Sequence, residues 1–294
     1  FKGLGTRHGV QHWSDSSKQQ RVSNAAYRRI YYYLTGDERV GDLMRALNDS
    51  DRALLNVQIE RKVPFVSNPP RPVPPPLPAG QVQMSFGTVW GSMISAWLTE
   101  WERSRDVRWR NRILAGMESI AALPKQWFHG AAPFDLASGR FVAANDRVAL
   151  SHLNGAFGVF EMHAELFELM DVPPAYREAW LDYCQYYNAP AAEFEAKTGV
   201  RGNNSRSLRE SHSRFTAYAA VQRKDPALAR RAWAEFFGTG NGDVLGRPTA
   251  PRRISGPAVL QPVDEVPELS TNNAAQWGLT LSQNLALIGK ELTR

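Results

Sequence analysis

The stretch LRESHSRFTAYAAVQRKDPALARRAWAEFF, residues 208–237, decides the fold. It reads as one helix from Leu208 to Arg223 and a second running on to Phe237, broken at Asp225-Pro226, where a capping carboxylate precedes a proline in the favoured first-turn position. So short a connection forces the two helices to lie antiparallel. The same unit recurs along the chain. Ser17 to Leu34 turns at Thr35-Gly36-Asp37 and resumes through Leu47, with Gly36 as C-terminal cap and Asp37 as N-cap. Thr88 to Arg103 turns around Asp106 and continues as Val107 to Leu123. Asn154 to Met170 turns at Asp171-Val172-Pro173 and continues through Tyr187. A final helix, Asn272 to Leu292, opens a fifth unit.

The two members of a pair differ in kind. Second members are amphipathic: Trp109, Ile113, Met117 and Ile120 form one apolar stripe, and Arg108, Arg110, Arg112 and Glu118 occupy the rest. First members, such as Gly155 to Phe160 or Ile94 to Leu98, are apolar over more of their circumference. Inner first helices ringed by outer second helices satisfy both patterns. The expected fold is therefore all-α, an incomplete (α/α) toroid of about four to five helical hairpins forming a single domain over residues 1–294. An open superhelical array of helix pairs fits the same periodicity.

Links between pairs are long: 48–87, 124–151, 198–207 and 238–271. The first holds Pro64, Pro69, Pro70, Pro72, Pro74, Pro75, Pro76 and Pro78 and is expected to be an extended, polyproline-like loop lying against the same body. In a ring of this kind the long links and the N-termini of the inner helices gather at one end.

Composition bounds the function class. The 294 residues are 43% hydrophobic and 22% charged with net charge +6, which excludes disordered and fibrous classes. One cysteine, Cys184, excludes a disulfide framework and a cysteine-rich zinc site. No apolar run is long enough to span a bilayer and the first line carries no secretory pattern, so no membrane is expected as a partner. The modest Arg-rich excess suits an acidic small molecule or polyanion, and without a dense Lys/Arg stripe no nucleic acid is expected. The chain opens at Phe1-Lys2-Gly3-Leu4 without an initiator Met, and is expected to be part of something longer.

Polar chemistry collects at the long-loop end. His8, His12, Trp13, Asp15 and Lys18 precede the first inner helix. His152 and Asn154 stand at the third. Asn203, Asn204 and Arg206, then Glu210, His212 and Arg214, stand at the fourth, and Trp277 lies one turn into the last. Each also has a plainer reading. Ser16, Asn154, Ser207 and Thr271 fit N-caps, and Glu210 with Arg214 fits a helix-face ion pair. His8 and His12 have metal-ligand spacing but lack a clear third ligand beyond Asp15, so no metal and no cofactor is expected, with calcium left open. No helix-loop-helix calcium loop occurs. His163 reads as a hydrogen-bonded core residue and Cys184 as a packed small hydrophobe. The Tyr31-Tyr32-Tyr33 run and the tryptophans of the inner helices read first as core. Trp13, Trp90 and Trp277 would offer flat apolar faces, and the amides and arginines fixed hydrogen bonds. An acidic oligo- or polysaccharide needs both.

His8 to Ser16, the following Asn24-Ala25-Ala26-Tyr27-Arg28-Arg29 with Tyr32 to Asp37, and Arg201-Gly202-Asn203-Asn204 resemble the C-terminal α/α toroid domain of exo-rhamnogalacturonan lyases, polysaccharide lyase family 26. The resemblance covers nearly the whole chain and is most specific in the first forty residues. It implies β-rich domains upstream in the same polypeptide, a secreted or periplasmic location, and cleavage of the rhamnose–galacturonate backbone of pectin.

Elimination at a uronate removes the C5 proton and expels the group at C4. The chemistry needs donors on the carboxylate and a base near the working pH. Arg206 or Arg214 with Asn203 and Asn154 fit the first role; His12 or His212, then Lys18, fit the second. His8, Trp13, Asp15, Asn204 and Trp277 complete the expected substrate-binding set. A glycoside hydrolase would need two flanking carboxylates, for which Asp15 and Glu210 are the acidic residues well placed in these motifs. A non-catalytic glycan-binding or supporting domain is the third reading.

Overall fold

The computed structural model describes residues 5–6, 18–20, 25–55, 76–143, 145–201, 209–238, 252–265 and 271–292. The chain divides into two compact units, Phe1–Trp180 and Leu181–Arg294.

In the first unit, β1 (Gly5–Thr6) pairs antiparallel with β2 (Lys18–Gln19). Helix α1 (Ala25–Thr35) therefore begins after Ser17, because Lys18 and Gln19 are drawn into strand pairing. Gly36 at φ +66° ends it, its N–H donating to the Tyr32 carbonyl at 2.7 Å. Asp37 then caps α2 (Glu38–Arg45) by accepting from the Arg39 N–H at 3.1 Å, as its position before the helix predicts. The link after α2 is more ordered than a proline-rich loop at both its ends. Ser50–Leu55 is a 3₁₀ turn, and β3 (Gln81–Ser85) leads through a π-helical turn at Phe86–Trp90 into α3 (Gly91–Ser104). Pro64 to Pro75 lie outside the described residues.

Helix α4 (Val107–Ala122) follows an Asp106 cap that accepts from the Arg108 N–H at 3.0 Å. The next link, expected to be loop, contributes β4 (Ala131–Asp135) and β5 (Arg140–Phe141), giving a three-stranded antiparallel sheet in the order β3-β4-β5. Periodicity alone could not show this. The pairing of Gln81 with Asp135 and Ser85 with Ala131 joins segments fifty residues apart. The third inner helix is split into α5 (Leu153–Ala156) and α6 (Val159–Leu169) by Gly158, whose φ of +76° a helix interior cannot hold. Helix α7 (Pro174–Tyr186) follows, and the unit boundary falls within it.

An aromatic stack forms the core of this unit. Trp90, Trp127, Tyr176 and Trp180 are fully buried, with Trp127 edge-on to Trp180 at 4.8 Å. His163 lies inside it, its ring 4.1 Å from Trp180 and nearly parallel. Its Nδ1–H donates to the Val159 carbonyl at 2.7 Å and the Tyr176 hydroxyl donates to Nε2 at 2.6 Å. The core reading of His163 therefore holds. The core reading of Trp90 holds too, and its full burial leaves no ring face for a sugar.

In the second unit, α8 (Ala191–Thr198) is an extra helix capped by Gly199. Helices α9 (Arg209–Arg223) and α10 (Pro226–Phe237) form the hairpin that residues 208–237 predict, with the Asp225 carboxylate accepting from the Ala227 and Leu228 N–H groups. An exposed pair, β6 (Arg252–Ile254) and β7 (Val263–Glu265), precedes α11 (Thr271–Ile288). Every residue of α9 from Glu210 to Ala220 is buried, as an inner helix requires. Its apolar side meets Leu228, Trp233, Phe236 and Ile288, and the Trp233 indole donates to the Ile288 carbonyl at 3.0 Å. Cys184 is buried, and burial raises its thiol pKa well above the ordinary range, as suits a packed hydrophobe.

Candidate functional site

In the first unit, Asn154 is 4% exposed and sits within α5, so it is not the helix cap. Its side chain lies over Gly87. A Cβ built there would meet Asn154 Oδ1 at 1.7 Å, so only glycine permits this approach. Gly87→Ala should therefore cost about 2 kcal/mol, as overpacking of a filled site does. Urea unfolding checks this, and a loss below about 0.5 kcal/mol would mean that Asn154 swings aside freely.

Beside Gly87, Phe86 donates its N–H to the Gly130 carbonyl at 2.9 Å and stacks on His129. His129 is 1% exposed and neither ring nitrogen has a hydrogen-bond partner among the described residues. Burial lowers its pKa, opposed by Asp146 and assisted by Arg147, so the ring stays neutral. The segment bearing Ala149 runs beside the neighbouring backbone, the Ala149 N–H donating to the Phe128 carbonyl at 2.7 Å and the Ala149 carbonyl lying close against Gly130. Sequence reading passed over His129, since it stands among apolar residues with no motif around it.

A second grouping joins three helices of this unit. Arg29 of α1, its side chain 6% exposed, pairs with both Glu102 of α3 and Glu165 of α6. The Tyr33 hydroxyl also donates to Glu102, at 3.0 Å. Burial, then Glu102, pushes the Tyr33 pKa up to about 12. The available signal in the sequence was an arginine at a position where the spacing from Ala25 and Ala26 calls for an apolar residue. The Tyr31-Tyr32-Tyr33 run divides: Tyr32 packs against the core cluster of Ala25, Met44, Leu47 and Ala96, whereas Tyr31 is 51% and Tyr33 49% exposed.

In the second unit, His212 is 2% exposed, stacked on Tyr187 at 4.6 Å and edge-on to Phe215 at 5.2 Å. Arg214, 1% exposed, donates to Gln283 Oε1 at 3.3 Å. The α9–α11 contact is polar here: Thr280 donates to the Ser211 carbonyl at 2.7 Å and Asn284 to the Ser213 hydroxyl at 3.0 Å. Nearby, the buried Glu235 carboxylate accepts from Thr216 at 2.7 Å and Asn188 at 3.2 Å and pairs with Arg231. Desolvation raises its pKa against Arg231. Trp277 packs on Phe236 at 4.9 Å, so at least one ring face serves the core.

Lys18 lies in β2, and its side chain is outside the described residues, as are His8, His12, Trp13, Asp15, Asn203, Asn204 and Arg206. Among the described residues, no three His, Cys, Asp or Glu side chains are grouped to hold a metal, and no helix is long and apolar enough to cross a membrane.

The profile of the PcRGLX-like protein C-terminal alpha/alpha toroid domain matches residues 1–293. The chain belongs to that family. The family is rhamnogalacturonan-lyase-like, and the fold is the all-α toroid expected from the repeated hairpins. The toroid domain is also 30% identical over 304 residues to the uncharacterized protein YetA of Bacillus subtilis (strain 168). That match covers 99% of this chain and 33% of the relative, so the toroid domain spans about a third of the relative's length.

Proposed function

We propose that the toroid domain is the carbohydrate-active part of a polysaccharide lyase that cleaves an acidic glycan of rhamnogalacturonan type by β-elimination at a uronate. The observation that carries this is the family match over residues 1–293. The basic balance of the chain suits an anionic substrate. The remaining two thirds of a polypeptide of the relative's length would supply upstream β-rich domains, and the protein would act outside the cytoplasm.

Elimination needs a donor that neutralises the uronate carboxylate and so acidifies the C5 proton. Arg206 or Arg214 would do this with Asn203 and Asn154, and Asn204 and Trp277 would contact neighbouring sugars, as would His8, Trp13 and Asp15. The base would be His12 or His212, with Lys18 the weaker choice because an amine must shed a proton before it can act. The covering of His212 by Tyr187 favours His12.

His12→Ala and His212→Ala, each made in a polypeptide of the relative's length, test the assignment on rhamnogalacturonan. The variant lacking the base should form unsaturated uronate at least about a hundredfold more slowly. Full activity in both removes the proposed base. Reducing sugar without the unsaturated-uronate absorbance would point to hydrolysis instead, and glycan binding without turnover to a supporting role.

A further inference from the structure

An open groove of about 430 Å³ in the first unit runs between the C-terminal part of α1 and helix α3, lined by Tyr32, Tyr33, Arg45, Glu100, Arg103 and Ser104. Its charges are already matched. Arg45 pairs with Glu100 at 3.4 Å, and Arg103 with Glu38 at 3.1 Å and with Glu100 at 3.8 Å. No surplus cation remains in this lining for a carboxylate ligand. Its two tyrosines are held in place. Tyr32 donates to Glu38 at 3.0 Å with the Arg103 guanidinium 4.9 Å over its ring. Tyr33 donates to Glu102 at 3.0 Å and is backed by Arg29 at 5.5 Å, while half its surface stays in water.

An exposed aromatic ring normally loses rotamer freedom on binding, and one locked beforehand loses little. A flat ring fixed beside carboxylate, guanidinium and hydroxyl groups suits a pyranose, which presents an apolar C–H face and a rim of hydroxyls. We propose that this groove is a second, non-catalytic carbohydrate-binding surface that takes a neutral sugar residue of a glycan chain, stacked on Tyr33. It rests on the carbohydrate reading of the domain but does not involve the elimination chemistry.

Hydrogen–deuterium exchange tests it with two probes, a rhamnogalacturonan octasaccharide and the same octasaccharide with its carboxylates reduced to alcohols. Both should protect residues 30–36 and 100–104 equally, and added salt should not weaken the effect, because no net charge is matched. Tyr33→Ala should weaken this binding about tenfold, whereas Tyr33→Phe, which keeps the ring face, should retain most of it. Protection that requires the carboxylates, protection absent from these segments, or unchanged affinity in Tyr33→Ala overturns the proposal. The lyase reading is judged separately, by unsaturated product, so either can fail without the other.

Discussion

Arg29→Ala should lower the unfolding free energy by about 3 kcal/mol, the lower end for a broken buried ion pair, because both partner carboxylates keep some contact with water. The guanidinium is nearly buried and engages Glu102 and Glu165, 23% and 37% exposed at their side chains. Its removal leaves two carboxylates facing one another across three helices. The loss should be accompanied by release of Tyr33, whose ring rests on that guanidinium. A triple variant, Arg29→Met with Glu102→Gln and Glu165→Gln, should recover much of the loss, since a neutral cluster carries no uncompensated charge. Denaturant unfolding measures all of these. A loss below about 1 kcal/mol in Arg29→Ala would place the cluster with ordinary surface ion pairs and refute its role as a clamp.

His163 should make the fold acid-sensitive. Burial brings its pKa from 6.5 down to about 4 in the folded protein, partly offset by the bond to the Val159 carbonyl. Between those values the unfolded chain takes up a proton that the native state refuses. Stability from this group is therefore complete above pH 6.5 and is lost as pH falls toward 4, by about 3 kcal/mol in all. His129, also lowered by burial, acts in the same direction. The comparison that isolates His163 is the pH slope of unfolding free energy in His163→Gln. That variant should be less stable at neutral pH, because it loses the stack on Trp180, yet its slope between pH 6.5 and 4 should be shallower. An equal slope in both proteins would show that the native imidazole protonates in place.

Much of the fold was legible because its signals are local. Asp37, Asp106 and Asp225 cap helices where a short polar residue precedes an apolar period, and each accepts from N–H groups two or three residues on. The β3-β4-β5 sheet was not legible. Its strands are short and flanked by helices, and the β3–β4 pairing joins segments about fifty residues apart with no turn between them; only β4–β5 closes through a local turn, at Asp135 to Gly139. Of the candidate site, the sequence named Asn154, His212 and Arg214, and all three are buried polar residues on inner helices. It read Tyr31 and Tyr33 first as core, and both are half exposed. Whether an aromatic residue is core or surface depends on which helix faces it, not on its own neighbours in sequence.

The repeated hairpins, their caps and their polarity belong to the sequence by itself, since a helix and its turn are written within a few residues and buried faces leave a period of 3.6. Tertiary structure alone decided that Arg29 would meet two glutamates, that His163 would stack on Trp180, and that Tyr33 would be pinned with half its surface in water. Those outcomes depend on the distances between side chains far apart in the chain, and only packing sets such distances.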